Sequence, residues 1–247
     1  MNCIQLPNCK KYIKYKEELK EKQIEELSKE LIFEYSKQER VVKLNETAYL
    51  LISYIPEYLK NYANKTFMNM WNLHPSEKHK IIMFENEVKV HRYSQSYLNT
   101  YNKLEHIKDS SYMYSGYDTS KNNLEIPNEF LVFYEYMVAQ DNKYNQMIAN
   151  WYEDKNDYIA YHSDCQRGMI NDSKITILSL YPSNEKDNFR FLSLKSKQSD
   201  NEYNIRLDHG LIISMCGTTQ NDYRHGITKS TKDVSQRISL SFRQMEK

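Results

Sequence analysis

Gln236-Arg237-Ile238-Ser239-Leu240-Ser241-Phe242-Arg243 alternates polar and apolar residues without a break. Successive side chains on a strand point to opposite faces, so Arg237, Ser239, Ser241 and Arg243 share one face and Ile238, Leu240 and Phe242 the other. Two earlier stretches behave the same way. Asn150-Trp151-Tyr152 sets Asn150 and Tyr152 on one face, and Asp157-Tyr158-Ile159-Ala160-Tyr161-His162-Ser163-Asp164 sets His162 with Asp164. All three carry aromatic or β-branched residues at strand-like density. An antiparallel barrel with a polar mouth accounts for the pattern.

The polar faces carry a specific chemistry. A histidine and a carboxylate two residues apart on an extended segment offer ligands in one direction, and His225 supplies a third from elsewhere. Three ligands on one side of an octahedron leave positions for a cosubstrate and oxygen, as non-haem Fe(II) oxygenases require. Six residues of strand, rising about 3.3 Å each, separate the Arg237 and Arg243 backbones by roughly 20 Å. Two long side chains leaning toward each other can then grip both ends of a short dicarboxylate. Taken singly, His-x-Asp is common by chance, His225 reads as a loop histidine, and the arginines read as solvated strand residues. The combination in this order carries the weight. His209, in the turn-like Asp208-His209-Gly210, and His74, His79 and His106, in helical or polar surroundings, read as non-ligands. No Ser/His/Asp or Cys/His nucleophile pattern is present.

On these residues the chain resembles the AlkB family of Fe(II)/2-oxoglutarate-dependent dioxygenases. The matching positions are Asn150-x-Tyr152, His162-x-Asp164, Met215-Cys216-Gly217-Thr218-Thr219-Gln220 ahead of His225-Gly226, and the run from Arg237 to Arg243. Weaker likeness appears at Val90-His91-Arg92 and at Tyr112-Met113-Tyr114-Ser115-Gly116. The resemblance covers residues 47 to 245 and is strongest after position 150. It implies an α+β fold, with a double-stranded β-helix (jelly-roll) core and N-terminal helices packed on one sheet. It implies that His162, Asp164 and His225 bind Fe(II). Arg237, helped by Tyr152, would pair with the far carboxylate of 2-oxoglutarate, while Arg243 and Asn150 would hold the end next to the metal. The implied reaction, with O2, is oxidative demethylation of N-alkylated bases in DNA or RNA, releasing formaldehyde, succinate and CO2. Such an enzyme takes a single-stranded or flipped nucleotide. The alternatives are a protein or small-molecule hydroxylase on the same fold, or a catalytically silent nucleic-acid-binding module.

Substrate contacts are less defined. Among the 22 tyrosines, Tyr112, Tyr114 and Tyr161 are candidate base-stacking residues, although so many tyrosines also reflect a general bias. Many nucleic-acid-repairing relatives carry an acid two residues after the metal carboxylate, where this chain has Gln166. An amide donates and accepts but offers no full charge to a cationic base, so a neutral base such as N6-methyladenine competes with 1-methyladenine and 3-methylcytosine. The net charge of +1 announces no polyanion partner.

Composition sets the outer bounds. At 247 residues and 40% hydrophobic, the chain is long enough for a full core. We expect a charged helical extension over residues 1–46, ahead of one catalytic domain over 47–247. Residues 10 to about 40 are rich in Lys and Glu with no glycine or proline, which reads as a solvated helix. Further helices are expected over residues 57–71 and 126–147, the latter with Pro127 at its start. No apolar run spans a bilayer and residues 1–11 lack a signal-peptide core, so an intracellular, soluble protein of cytoplasm or nucleus is expected. The four cysteines show no zinc spacing and read as free thiols. Of the five glycines, Gly217 and Gly226 flank the segment carrying His225, where positive φ or close backbone approach is expected.

Overall fold

The computed structural model describes residues 39–83, 86–98, 113–114, 117–118, 124–141, 144–183 and 189–246. Two sheets face each other. The larger has eight strands in the order β1 (Arg40–Lys43), β2 (Ala48–Tyr54), β14 (Leu211–Gly217), β11 (Ile175–Leu180), β16 (Arg237–Arg243), β9 (Gln146–Tyr152), β5 (Tyr93–Leu98) and β8 (Leu124–Glu125). The smaller runs β10 (Ile159–His162), β15 (Tyr223–Ile227), β12 (Phe191–Ser196) and β13 (Glu202–Arg206). Among the described residues two further strand pairs occur, β3 (Lys80–Met83) with β4 (Asn86–Lys89), and β6 (Met113–Tyr114) with β7 (Tyr117–Asp118).

Alternation along the central strands divides the interior into two layers. Leu50, Ile148, Ile175 and Ile213 of the large sheet meet Leu192, Leu194, Tyr223 and Ile227 of the small sheet in one apolar core. The opposite face of the large sheet, with Met147, Ala149, Trp151, Leu178, Leu180, Ile238, Leu240 and Phe242, forms a second core with the helices. This arrangement is consistent with the expected jelly roll.

Helix α1 (Glu57–Trp71) begins directly after Pro56, whose extended backbone starts a helix without needing a side-chain cap. Its buried Leu59, Ala63, Phe67 and Met70 recur at three- and four-residue intervals, the stripe that packs a helix on a sheet. Trp151 fixes the contact by donating its indole N–H to the Met70 carbonyl at 3.0 Å. Helix α2 (Asn128–Gln140) follows Pro127 in the same way. The helix expected over 126–147 therefore stops short. Asp141 is extended, and from Gln146 the chain pairs with both β16 and β5, so tertiary strand pairing overrides local helical preference.

Residues 1–38 of the expected extension lie outside the described residues. Arg40–Lys43, also assigned to it, is the edge strand of the large sheet, paired along its length with β2. Among the described residues no helix is long and apolar enough to cross a membrane.

Candidate active site

His162 ends β10, and its Cα partner across the small sheet is His225 on β15. That register sets the two imidazoles side by side, with ring centroids 4.4 Å apart. Asp164 lies just beyond β10, held by a bond from its amide N–H to the Gln220 side-chain oxygen at 2.9 Å. Gln220 is on the short helix α3 (Thr219–Asp222). Asp164 Oδ1 is 3.6 Å from His162 Nε2, and Oδ2 is 3.7 Å from His225 Nε2. All three ligand atoms lie within 4.8 Å of one another.

The electrostatics suit a metal. A carbonyl only accepts, so the 2.9 Å contact between His162 Nδ1 and the Ala160 carbonyl puts the proton on Nδ1 and leaves the Nε2 lone pair toward Asp164. Burial pushes His225 down to about 3, so its ring is neutral. Burial opposes ionisation of Asp164, but the Arg243 guanidinium beside it holds its carboxyl well below the usual range. The Arg243 contact is 3.2 Å. Metal bonds of about 2.1 Å place neighbouring ligand atoms roughly 3 Å apart, so this donor set needs little adjustment to close on an ion.

The triad opens into a cavity of about 940 Å³ between the sheets, counting the space at its mouth. Asn150, Tyr152, Arg237, Ser239, Ser241 and Arg243 all line it, as strand parity predicts. Arg237 is fully buried. Its Nε and Nη2 donate to Ser179 Oγ at 3.1 and 2.8 Å, its guanidinium carbon sits 5.0 Å from the Tyr152 ring centroid, and Nη1 has no hydrogen-bond partner among the described residues. A buried cation with an unsatisfied N–H, and with no ion-pair partner among the described residues, is costly until an anion arrives. The donor set and this cation fit an iron ion and a dicarboxylate respectively.

Other expectations fare differently. Tyr112 lies outside the described residues, and Tyr114 is a β6 strand residue. Tyr161 does not line the cavity. The register of β10 against β15 shifts between Ile159 and His162, both of which line the cavity, and Tyr161 points outward, where its hydroxyl donates to Glu202 at 3.0 Å. Gln166 is exposed, and its carbonyl accepts from the Met169 amide in a turn. His79, read as lying in plain polar surroundings, lines the cavity with Arg92. Ser179 went unnoticed, although its parity with Ile177 on β11, beside β16, marks it as inward-facing.

Both glycines near His225 are explained. Gly217 has φ +58° and would bring a Cβ onto the Thr47 carbonyl, while Gly226 has ordinary φ but lies against the β10 backbone.

Comparison with known proteins agrees with this geometry. The 2OG-Fe(II) oxygenase superfamily matches residues 52–243. The DNA oxidative demethylase ALKBH2 of Arabidopsis thaliana is 26% identical over 125 residues, 44% of this chain and 40% of that protein. The alpha-ketoglutarate-dependent dioxygenase alkB homolog 3 of Rattus norvegicus is 27% identical over 106 residues, 40% of this chain and 35% of that protein. The matches therefore span well under half the length of these relatives. The structure of OsALKBH1 superposes with a TM-score of 0.51 at 11% identity, covering 83% of this chain and all of that one, which speaks for the fold alone. The superfamily's cofactors are Fe(II) and 2-oxoglutarate, used with O2, and the His/Asp/His group stands ready for the metal. The chain belongs to the 2OG-Fe(II) oxygenase superfamily, as an AlkB-like member.

Proposed function

We propose that this protein is an Fe(II)/2-oxoglutarate-dependent dioxygenase that oxidatively demethylates N-alkylated bases in DNA or RNA. The observation that carries it is the fully buried Arg237, facing the same cavity as His162, Asp164 and His225 with one N–H that has no partner among the described residues. The three residues hold the metal. Arg237 and Tyr152 receive the far carboxylate of 2-oxoglutarate, and Arg243 and Asn150 steady the near end. Bound iron and 2-oxoglutarate with O2 supply the oxidant for C–H hydroxylation, with succinate and CO2 as coproducts. A hydroxylated N-methyl group then leaves as formaldehyde without a strong enzyme base.

The nucleic-acid substrate is supported by the AlkB-type relatives, one of which is named a DNA oxidative demethylase. Access to the cavity calls for a base that is single-stranded or flipped. Arg92, Arg237 and Arg243 line the cavity, and among the described residues Asp164 is its only carboxylate. That balance favours a neutral methylated base, such as N6-methyladenine, over a cationic one. The test is mass spectrometry of oligonucleotides carrying a panel of methylated bases after incubation with Fe(II), 2-oxoglutarate and O2. Loss of a methyl with matching succinate is expected. Succinate without any demethylated base overturns the substrate assignment in favour of a protein or small-molecule hydroxylase.

A further inference from the structure

Asn150 sits mid-sheet on β9, between Ser94 of β5 and Ser239 of β16, and lines the cavity. A carboxamide presents an acceptor or a donor depending on its flip. Oxygen toward a carboxylate repels it, and NH2 attracts it. The flip is decided by Arg92, whose Nε lies 3.0 Å from the Asn150 amide. A guanidinium nitrogen only donates, so the atom it meets is Oδ1 and the Nδ2 hydrogens are left for the cavity.

Arg92 is mounted for this task. It is 5% exposed, and the backbone just before it is pinned twice. The Val90 amide donates to the His79 carbonyl at 3.0 Å, and the His91 carbonyl accepts from the Tyr158 amide at 2.9 Å. His79 lines the same cavity, and its burial, followed by the Arg92 charge, pushes its imidazole down to about 4. It stays neutral at physiological pH and adds no second charge beside the guanidinium.

We propose that Arg92 is a positioning residue for the cosubstrate: its Nε–H bond to Asn150 Oδ1 locks the amide with Nδ2 turned toward the bound dicarboxylate. The inference rests on the dioxygenase reading, and specifically on 2-oxoglutarate occupying this cavity. It assigns a cosubstrate role to a residue outside the ligand triad and the Arg237/Arg243 pair.

The test is a binding cycle without turnover. The full chain is loaded with Mn(II) in place of Fe(II) and titrated with 2-oxoglutarate by calorimetry, for wild type, Arg92→Met, Asn150→Ala and the double variant. Each single change is expected to weaken 2-oxoglutarate about tenfold, a typical loss for a charge-assisted contact. The double variant is expected to bind no worse than Asn150→Ala, with Mn(II) affinity unchanged throughout. Arg92→Lys keeps the charge but loses the planar Nε donor, so it is expected to behave like Arg92→Met, and it carries the cycle if Arg92→Met does not fold. Additive losses in the double variant, or full affinity in Arg92→Lys, overturn the Arg92 assignment while leaving the dioxygenase reading intact. A folded, Mn(II)-loaded wild type that does not bind 2-oxoglutarate overturns the cosubstrate reading and this inference with it.

Discussion

Ser179 on β11 accepts hydrogen bonds from two nitrogens of Arg237, at 3.1 and 2.8 Å, and so sets the direction in which that buried guanidinium points. The strands are neighbours, with Ser179 directly opposite Ser239, so the anchor is built into sheet register. Ser179→Ala removes both acceptors and leaves the cation to drift within its pocket. We predict a weakening of 2-oxoglutarate binding by about tenfold, the scale of a lost charge-assisted bond. Mn(II) affinity is expected to be unchanged. Calorimetric titration of the Mn(II)-loaded variant checks this, and wild-type affinity would remove Ser179 from the site.

Gly226 lies on β15 next to His225, with the β10 backbone against it. A Cβ there would lie 2.8 Å from the Ile159 carbonyl oxygen and 3.2 Å from the Ala160 carbon and Tyr161 nitrogen, all backbone atoms of β10 that cannot swing aside. In Gly226→Ala, β10 must move off β15 and take His162 away from His225. Overpacking of this kind costs about 1–3 kcal/mol. We predict that metal binding suffers directly, with Mn(II) affinity down about tenfold or more when measured by electron paramagnetic resonance without 2-oxoglutarate. Unchanged Mn(II) affinity would mean that strand spacing does not set the metal geometry.

How much of this was readable from sequence follows from what each signal depends on. Parity along β9 and β16 needs only local alternation, so the inward placement of Asn150, Tyr152, Arg237 and Arg243 was available directly. On β10 that rule breaks: Ile159 and His162 have opposite parity yet both line the cavity, because the register shifts between them, and Tyr161 ends up outside. The roles of Ser179 and Gln220 were not legible in the same way. Each acts through a partner far away in sequence, Arg237 for Ser179 (58 residues) and Asp164 for Gln220 (56 residues), and only the folded sheets bring them together. The overlong helix at 126–147 has a related cause. Gln146-Met147-Ile148-Ala149 is compatible with either state, and pairing on both flanks decides for the strand.

Arg190 supports the site from behind. It is 2% exposed and does not line the cavity, yet its guanidinium donates to the carbonyls of Asp154, Asp157 and Thr228 at 3.2, 2.6 and 2.5 Å. It thereby ties the loop between β9 and β10 to the segment after β15. Arg190→Met leaves three carbonyls without this donor. We predict a loss of about 2–4 kcal/mol in unfolding free energy, read from urea denaturation of the metal-free protein. A loss below about 0.5 kcal/mol, the range of ordinary surface changes, would show that the loops hold without it.

Glu135 gives the fold a pH dependence separate from the metal site. It lies on α2 among Phe133, Tyr134, Tyr136 and Met137, and burial pushes its carboxyl from 4.5 up to about 7. Below pH 4.5 the group is protonated in both folded and unfolded chains and contributes nothing to the balance. Between about pH 4.5 and 7 the unfolded chain has released a proton that the folded one retains, so this group's contribution to stability falls as pH rises and levels off above 7. Glu135→Gln removes the titration. We predict that the variant gains on wild type with rising pH, by about 1–3 kcal/mol between pH 4.5 and pH 8. Urea denaturation of both proteins, metal-free, across that range measures the difference, in which titrations common to the two cancel. A difference that stays flat with pH would show that water reaches the Glu135 carboxylate and keeps it ionised at its ordinary range.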